Sequence, residues 1–128
     1  MIIVHSDGSH SADHQITKSA VVVHRDDVLL YTFSEIQGEG WSDVSEYYAI
    51  RLGLSKLLAL GLENESITWY NDSQFVIRQM LGVYKIRKNK GYTALALECV
   101  ELKKAFKCLK WRWIPREQNK EADKLSKL

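Results

Sequence analysis

The sequence predicts a single α/β domain, a five-stranded mixed sheet flanked by helices, and three observations point to it. Apolar and β-branched runs dominate the first 36 residues. Helical spacing takes over around Tyr47, and strand-like runs return twice between later helical stretches. At 128 residues and 45% hydrophobic content, the chain has enough apolar material for one core.

Each element follows from its local pattern. Ile2 to Ser6 reads as a first strand. Ser19 to His24 and Val28 to Ile36 are β-branched or apolar runs separated by Arg25-Asp26-Asp27, which predicts an antiparallel hairpin. Tyr47, Ile50, Leu54, Leu57 and Leu58 share one helical face, and Gly61 is placed to end that helix. Ile67 to Tyr70 is a short apolar run before Asn71-Asp72-Ser73. Phe75, Val76, Gln79 and Met80 predict a second helix that stops near Gly82. Leu95, Cys99, Leu102 and Phe106 predict a third. Lys110 to Ile114 alternates polar with apolar, as a strand does, and Asn119 is a candidate cap for a last helix from Lys120. The predicted order is βββαβααβα.

Composition excludes several classes of function. No apolar run approaches the ~18–20 residues that cross a bilayer, so no membrane role is expected. Met1-Ile2-Ile3-Val4-His5 lacks the positive lead of a signal peptide and reads as strand. Cys99 and Cys108 do not form a disulfide framework and are read as buried structural thiols, which places the protein in a reducing, cytoplasmic setting. The net charge of +2 conceals an asymmetry. Residues 1–60 hold four basic and eight acidic residues, whereas residues 61–128 hold fourteen and eight. An acidic half joined to a basic half fits a phosphate-binding surface beside a carboxylate cluster; a basic face that is merely solvated is the bland reading.

The acidic residues carry the functional argument. Asp7 is placed at the end of the first strand and Asp72 at the end of the first strand after a helix, where ligand sites of open α/β sheets collect. Glu46 lies near the start of the first long helix and Asp123 about one turn into the last. A lone aspartate after a strand is usually a turn former or a cap. If those two strands are sheet neighbours, both aspartates point into one crevice. Mg²⁺ takes hard oxygen ligands, and a pair of ions about 3.5–4 Å apart can serve an in-line phosphoryl displacement, which needs three or four carboxylates from different elements.

These residues carry a family likeness. Asp7-Gly8-Ser9 after a strand, Ser45-Glu46-Tyr47-Tyr48-Ala49 opening a helix, Asn71-Asp72-Ser73 after a strand, and the tail from Trp113 to Leu125 (WIPREQNKEADKL) together resemble type 1 ribonuclease H. The likeness is closest to the compact archaeal and bacterial members and to plant-type domains, and it covers essentially the whole chain in order. The tail pattern Arg-Glu-x-Asn-x-x-Ala-Asp-x-Leu is its most specific part. The resemblance implies a ribonuclease H-like fold and a metal-dependent endonuclease that cuts the RNA strand of RNA–DNA hybrids, leaving 5′-phosphate and 3′-hydroxyl ends. It implies Asp7, Glu46, Asp72 and Asp123 as ligands of two Mg²⁺ ions, with Mn²⁺ as a substitute. Glu46 would also lie near the 2′-hydroxyl that marks RNA.

Three features depart from better-studied members. His10-Ser11-Ala12-Asp13-His14-Gln15 replaces a glycine-rich turn. Arg116 stands near the position of a mobile histidine, and is the remaining candidate catalytic residue. Lys85-Ile86-Arg87-Lys88-Asn89-Lys90 stands in for a longer basic handle. Lys85, Arg87, Lys88 and Lys90, with Ser9, Trp41, Ser42 and Asn119 near the carboxylates, are the candidate nucleic-acid contacts. Double-stranded RNA is a second candidate substrate, and a monomer is expected. Trp69, Trp111 and Trp113 are read as core, and His5 as a core or sheet-face histidine. His10, His14 and His24 have no partner at metal spacing.

Rival nucleases on related folds fit poorly. A proofreading-type exonuclease would carry a carboxylate where Ser9 stands, and an integrase-type enzyme would carry one near Lys107. A module on the same fold that binds hybrid or double-stranded RNA without cutting is the alternative reading.

Overall fold

A computed structural model describes residues 1–11, 16–38 and 42–127. The elements are β1 (Ile2–Ser11), β2 (Ile16–Arg25), β3 (Val28–Gln37), α1 (Ser42–Ala59), β4 (Ser66–Asn71), α2 (Gln74–Met80), α3 (Thr93–Lys103), β5 (Cys108–Trp113), a 3-10 turn (Arg116–Gln118) and α4 (Lys120–Ser126). Their order is the one the sequence predicts. They build one five-stranded sheet in the order β3-β2-β1-β4-β5. β2 pairs antiparallel with both β1 and β3, while β4 pairs parallel with both β1 and β5. Arg25 pairs with Val28 across the predicted turn, where Asp26 adopts φ 54°, a left-handed conformation that aspartate tolerates.

Alternation along the strands sorts the two faces of the sheet. Ile2 and Val4 of β1, Val21 and Val23 of β2, and Ile67 and Trp69 of β4 join Tyr47, Ile50, Leu54 and Leu57 of α1 in the buried core. α3 packs on α1, and α4 packs against β1 and β2. Asp7 and Ser9 of β1 fall on the opposite parity from Ile2 and Val4, and both reach Ser126 of α4. At the end of α1, Gly61 takes φ 73° while Leu62 N–H bonds to Leu57 O, so glycine serves there as the predicted helix stop.

Four expectations need correction. Asp7 does not end β1: the antiparallel ladder with β2 continues through Ser11↔Ile16, leaving Asp7 mid-strand opposite Ala20. Only the parallel pairing with β4 stops early, at His5↔Tyr70. Helix α3 ends at Lys103 and does not reach Phe106. Cys99 is buried, but Cys108 opens the edge strand β5 and is exposed. Trp113 is the last residue of that edge strand and stays 44% exposed, whereas Trp69 and Trp111 are core. His5 is a sheet-face residue stacked on Tyr70 at 5.1 Å. Among the described residues no helix is long and apolar enough to cross a membrane.

Candidate active site

The parallel pairing of β1 with β4 ends at His5↔Tyr70, so Asp7 and Asp72 each lie two residues beyond it, and α1 brings Glu46 over them. Gly8 permits that approach. A Cβ at Gly8 would stand 2.3 Å from the backbone carbon and oxygen of Ser45 and 2.6 Å from Glu46 N, so any side chain would force α1 away. Gly8 N–H donates to Glu46 Oε1 at 3.0 Å, and Asn71 Nδ2 donates to the same oxygen at 3.1 Å. One carboxylate oxygen of Glu46 is thereby fixed from both strands.

Asp7, Glu46 and Asp72 each offer a carboxylate oxygen, and these oxygens lie within 4.8 Å of one another. Asp7 and Glu46 are buried. Burial, the Asp72 charge and a hydrogen bond shared with Asp123 push Asp7 up to about 7. Burial and the Asp7 charge raise Glu46 well above the carboxylate range, against the Asn71 and Gly8 hydrogen bonds. Burial also raises Asp72, opposed by Asn119 and by the charge of Arg116. Three acids that resist ionising together would ionise more readily around a bound cation, and hard oxygen donors of this kind suit Mg²⁺ or Mn²⁺. Asp123 is held differently. Burial works upward on it, but its hydrogen bond with Asp7, the Lys127 ammonium at 3.2 Å and Arg116 together keep it below its ordinary value. It borders the triad beside Asp7 and remains ionised more readily.

A buried polar layer supports the acids. Ser6 O accepts from Asn71 Nδ2 and Asn119 Nδ2, each at 3.0 Å, and Trp69 Nε1 donates to Ser6 Oγ at 2.8 Å. Asn119 Nδ2 also reaches Asp72 Oδ2 at 3.4 Å. Asn119 sits at the start of α4 as predicted, but its side chain makes no capping bond; it turns inward and is 1% exposed. That geometry makes it a support for Ser6 and Asp72. Ser126 Oγ donates to Asp7 Oδ2 at 3.4 Å. Sequence reasoning missed Ser6, Asn71, Ser126 and Lys127. Only Asn71 carried a signal, as part of the Asn-Asp-Ser run.

A family model described as "Reverse transcriptase-like" matches residues 5–128. This chain belongs to the type 1 ribonuclease H family. RNase H1 from the archaeon Halobacterium salinarum NRC-1 shares its fold, with a TM-score of 0.88 at 20% identity, over 98% of this chain and 94% of that one. LC11-RNase H1, solved in complex with an RNA/DNA hybrid, gives a TM-score of 0.89 at 27% identity over 99% and 94%. The bifunctional protein Rv2228c of Mycobacterium tuberculosis is 25% identical over 127 residues, 98% of this chain but 34% of its own length. This chain therefore spans about a third of that relative. The N-terminal RNase H domain of Rv2228c, solved as a fusion with maltose-binding protein, has a TM-score of 0.89 at 23% identity over 98% and 90%.

Around the ribonuclease H carboxylates, the other predicted residues separate. Arg116 opens the 3-10 turn, is exposed, and acts electrostatically on Asp72 and Asp123. Glu121 of α4 lies 3.7 Å from His24 Nε2. Ser9 is committed to Ser126 O at 2.8 Å, and Ser42 is exposed at the first position of α1. Lys85, Arg87, Lys88 and Lys90 are all exposed. Trp41, and the stretch from Ala12 to Gln15, lie outside the described residues. Trp113 Nε1 donates to Asp72 O at 3.1 Å, a tie that its reading as core did not anticipate.

Proposed function

We propose that this protein is a metal-dependent endonuclease that hydrolyses the RNA strand of RNA–DNA hybrids with two divalent ions. The observation that carries this reading is the convergence of Asp7, Glu46 and Asp72 within 4.8 Å, in a crevice that raises the protonation of all three. Such a cluster costs folding energy when unneutralised, and its chemistry matches what a divalent cation needs. Support for the substrate comes from LC11-RNase H1, which was solved with an RNA/DNA hybrid.

Asp7, Glu46 and Asp72 would hold the metal, with Asp123 completing the set beside Asp7. The chemistry that magnesium or manganese would supply there is Lewis-acid activation of water and neutralisation of charge on the phosphate. Gly8 and Asn71 fix one oxygen of Glu46, and the carboxylate so held would meet the 2′-hydroxyl that marks RNA. Arg116 draws the scissile phosphate toward Asp72 and Asp123; its guanidinium cannot be deprotonated and so takes no proton. Lys85, Arg87, Lys88 and Lys90 bind backbone phosphates of the hybrid. Cys99 and Cys108 are both free thiols, which supports a reducing cytoplasmic setting. Cleavage of an end-labelled RNA–DNA hybrid with magnesium, compared with a DNA duplex of the same sequence, tests the reading. Hybrid-only cleavage leaving 5′-phosphate ends is expected, and an intact hybrid with both magnesium and manganese would overturn it.

A further inference from the structure

The basic segment between α2 and α3 is tied down at several points. Gln79, 2% exposed in the last turn of α2, uses both ends of its amide. Its Oε1 accepts from Tyr47 OH, and its Nε2 donates to Lys85 O at 3.1 Å and to Tyr92 OH at 3.4 Å. Tyr47 directly follows Glu46 and is wholly buried. It stacks on Tyr92 at 5.8 Å, and Tyr92 meets Phe75 edge-on at 5.4 Å. At the far end of the segment, Thr93 Oγ1 donates to Arg87 O at 2.7 Å and accepts from Lys90 N–H at 2.9 Å. Ile86 packs its side chain against the core between these ties. The chain leaves α2 with the same economy: Val83 and Tyr84 N–H both bond to Arg78 O, while the Arg78 guanidinium lies over the Tyr84 ring at 5.2 Å.

We infer that Gln79 and Thr93 are positioning residues that hold Lys85, Arg87, Lys88 and Lys90 at a fixed distance from Glu46, so that phosphate contact and metal site engage one hybrid in register. The inference rests on the proposed hybrid-binding role of that loop. Its physical basis is preorganisation. A cation on a fixed backbone loses less freedom when it meets a phosphate, and the Gln79 bridge runs from the residue beside Glu46 to a carbonyl inside the basic run. A segment with four exposed cations in six residues would otherwise repel itself and sample many conformations.

Three variants separate positioning from stability. Gln79→Glu keeps the acceptor for Tyr47 but loses the donors to Lys85 O and Tyr92 OH. Thr93→Val, at a half-buried site, frees Arg87 O and Lys90 N–H with little risk to the core. Tyr92→Phe loses one hydrogen bond of the same network without touching the loop and serves as the control. Hydrogen exchange of amides 83–92 is expected to quicken in Gln79→Glu and Thr93→Val and to stay near wild type in Tyr92→Phe. KM for the hybrid is expected to rise about three- to tenfold in the first two, with kcat at saturating hybrid changing less than twofold and the magnesium midpoint in thermal melts unmoved. Unchanged KM in both tether variants, or an equal rise in Tyr92→Phe, would overturn the inference. Failure of the underlying reading looks different: neutralising all four cations in the wild-type frame would leave the salt dependence of hybrid binding as it was.

Discussion

Removing one charge from the carboxylate cluster is expected to stabilise the protein while destroying its activity, and Asp7→Asn is the variant to make. Asp7 is 4% exposed, and its carboxyl is driven from 3.8 to about 7 by burial, then by Asp72 and Asp123. At about 1.4 kcal/mol per pKa unit, that climb corresponds to about 4 kcal/mol of destabilisation once the group is ionised in the fold. Because the folded value is raised, the folded state holds the proton more tightly. The penalty is therefore absent below about pH 4, grows as pH rises toward 7, and is complete above it. Local relaxation and water access reduce the figure, so we expect about 2–4 kcal/mol at about pH 8 and about 1–2 kcal/mol at about pH 5. Asparagine keeps an oxygen to accept from Ser126 Oγ. For a domain of this size, roughly 3–5 °C of melting temperature accompany each kcal/mol, giving a rise of roughly 6–20 °C at about pH 8 without divalent metal. Melting curves for wild type and variant at the two pH values, with EDTA and then with magnesium, provide the assay. Magnesium is expected to narrow the gap by stabilising the wild type alone. A variant that melts at or below wild type at about pH 8 in EDTA, or a gain that does not shrink at lower pH, refutes the reasoning.

Three further outcomes follow from the same geometry. A proton on Asp7 competes with metal, so the magnesium concentration at half-maximal stabilisation is expected to rise by up to about tenfold per pH unit below about pH 7; a flat titration from about pH 8 to 5.5 would contradict it. Replacing Lys85, Arg87, Lys88 and Lys90 with glutamine is expected to weaken binding to hybrids of every sequence and to flatten log affinity against log salt by roughly one per lost phosphate contact, as read by a filter-binding salt series. Arg116→Ala is expected to slow cleavage by about one to two orders of magnitude, with Arg116→Lys recovering part of the loss and the pH–rate profile keeping its inflections; full activity in the alanine variant would assign Arg116 a role in the loop alone.

What the sequence revealed and what it hid divide along physical lines. Alternation and helical spacing report which residues face a core, and they located all nine main elements. They could not report pairing. β1 continues through Gly8 to Ser11 because β2 supplies backbone partners to a polar stretch, which no apolar pattern announces. Nor does alternation tell an edge strand from a central one. Cys108 and Trp113 therefore look like core residues in sequence and are exposed on β5 in the fold. The four carboxylates were legible because their spacing and neighbours match a known family pattern. The layer beneath them was not. Ser6, Asn71 and Ser126 are ordinary polar residues whose value comes from meeting across 25 to 119 positions of chain, and Asn119 looks like a cap until Ser6 O and Asp72 are placed under it. Gly8 is similar: only the approach of Ser45 and Glu46 shows why a side chain is excluded there.

The most direct test compares wild type with Asp72→Asn on one labelled RNA–DNA hybrid in magnesium, reading binding and cleavage from the same samples. Asp72 belongs to the proposed metal site and lies outside the basic segment, so the variant is expected to bind hybrid within about threefold of wild type and to cut at least about a hundredfold more slowly. Cleavage by the variant at the wild-type rate, with binding intact, would contradict the assignment of Asp7, Glu46 and Asp72 as the catalytic metal site.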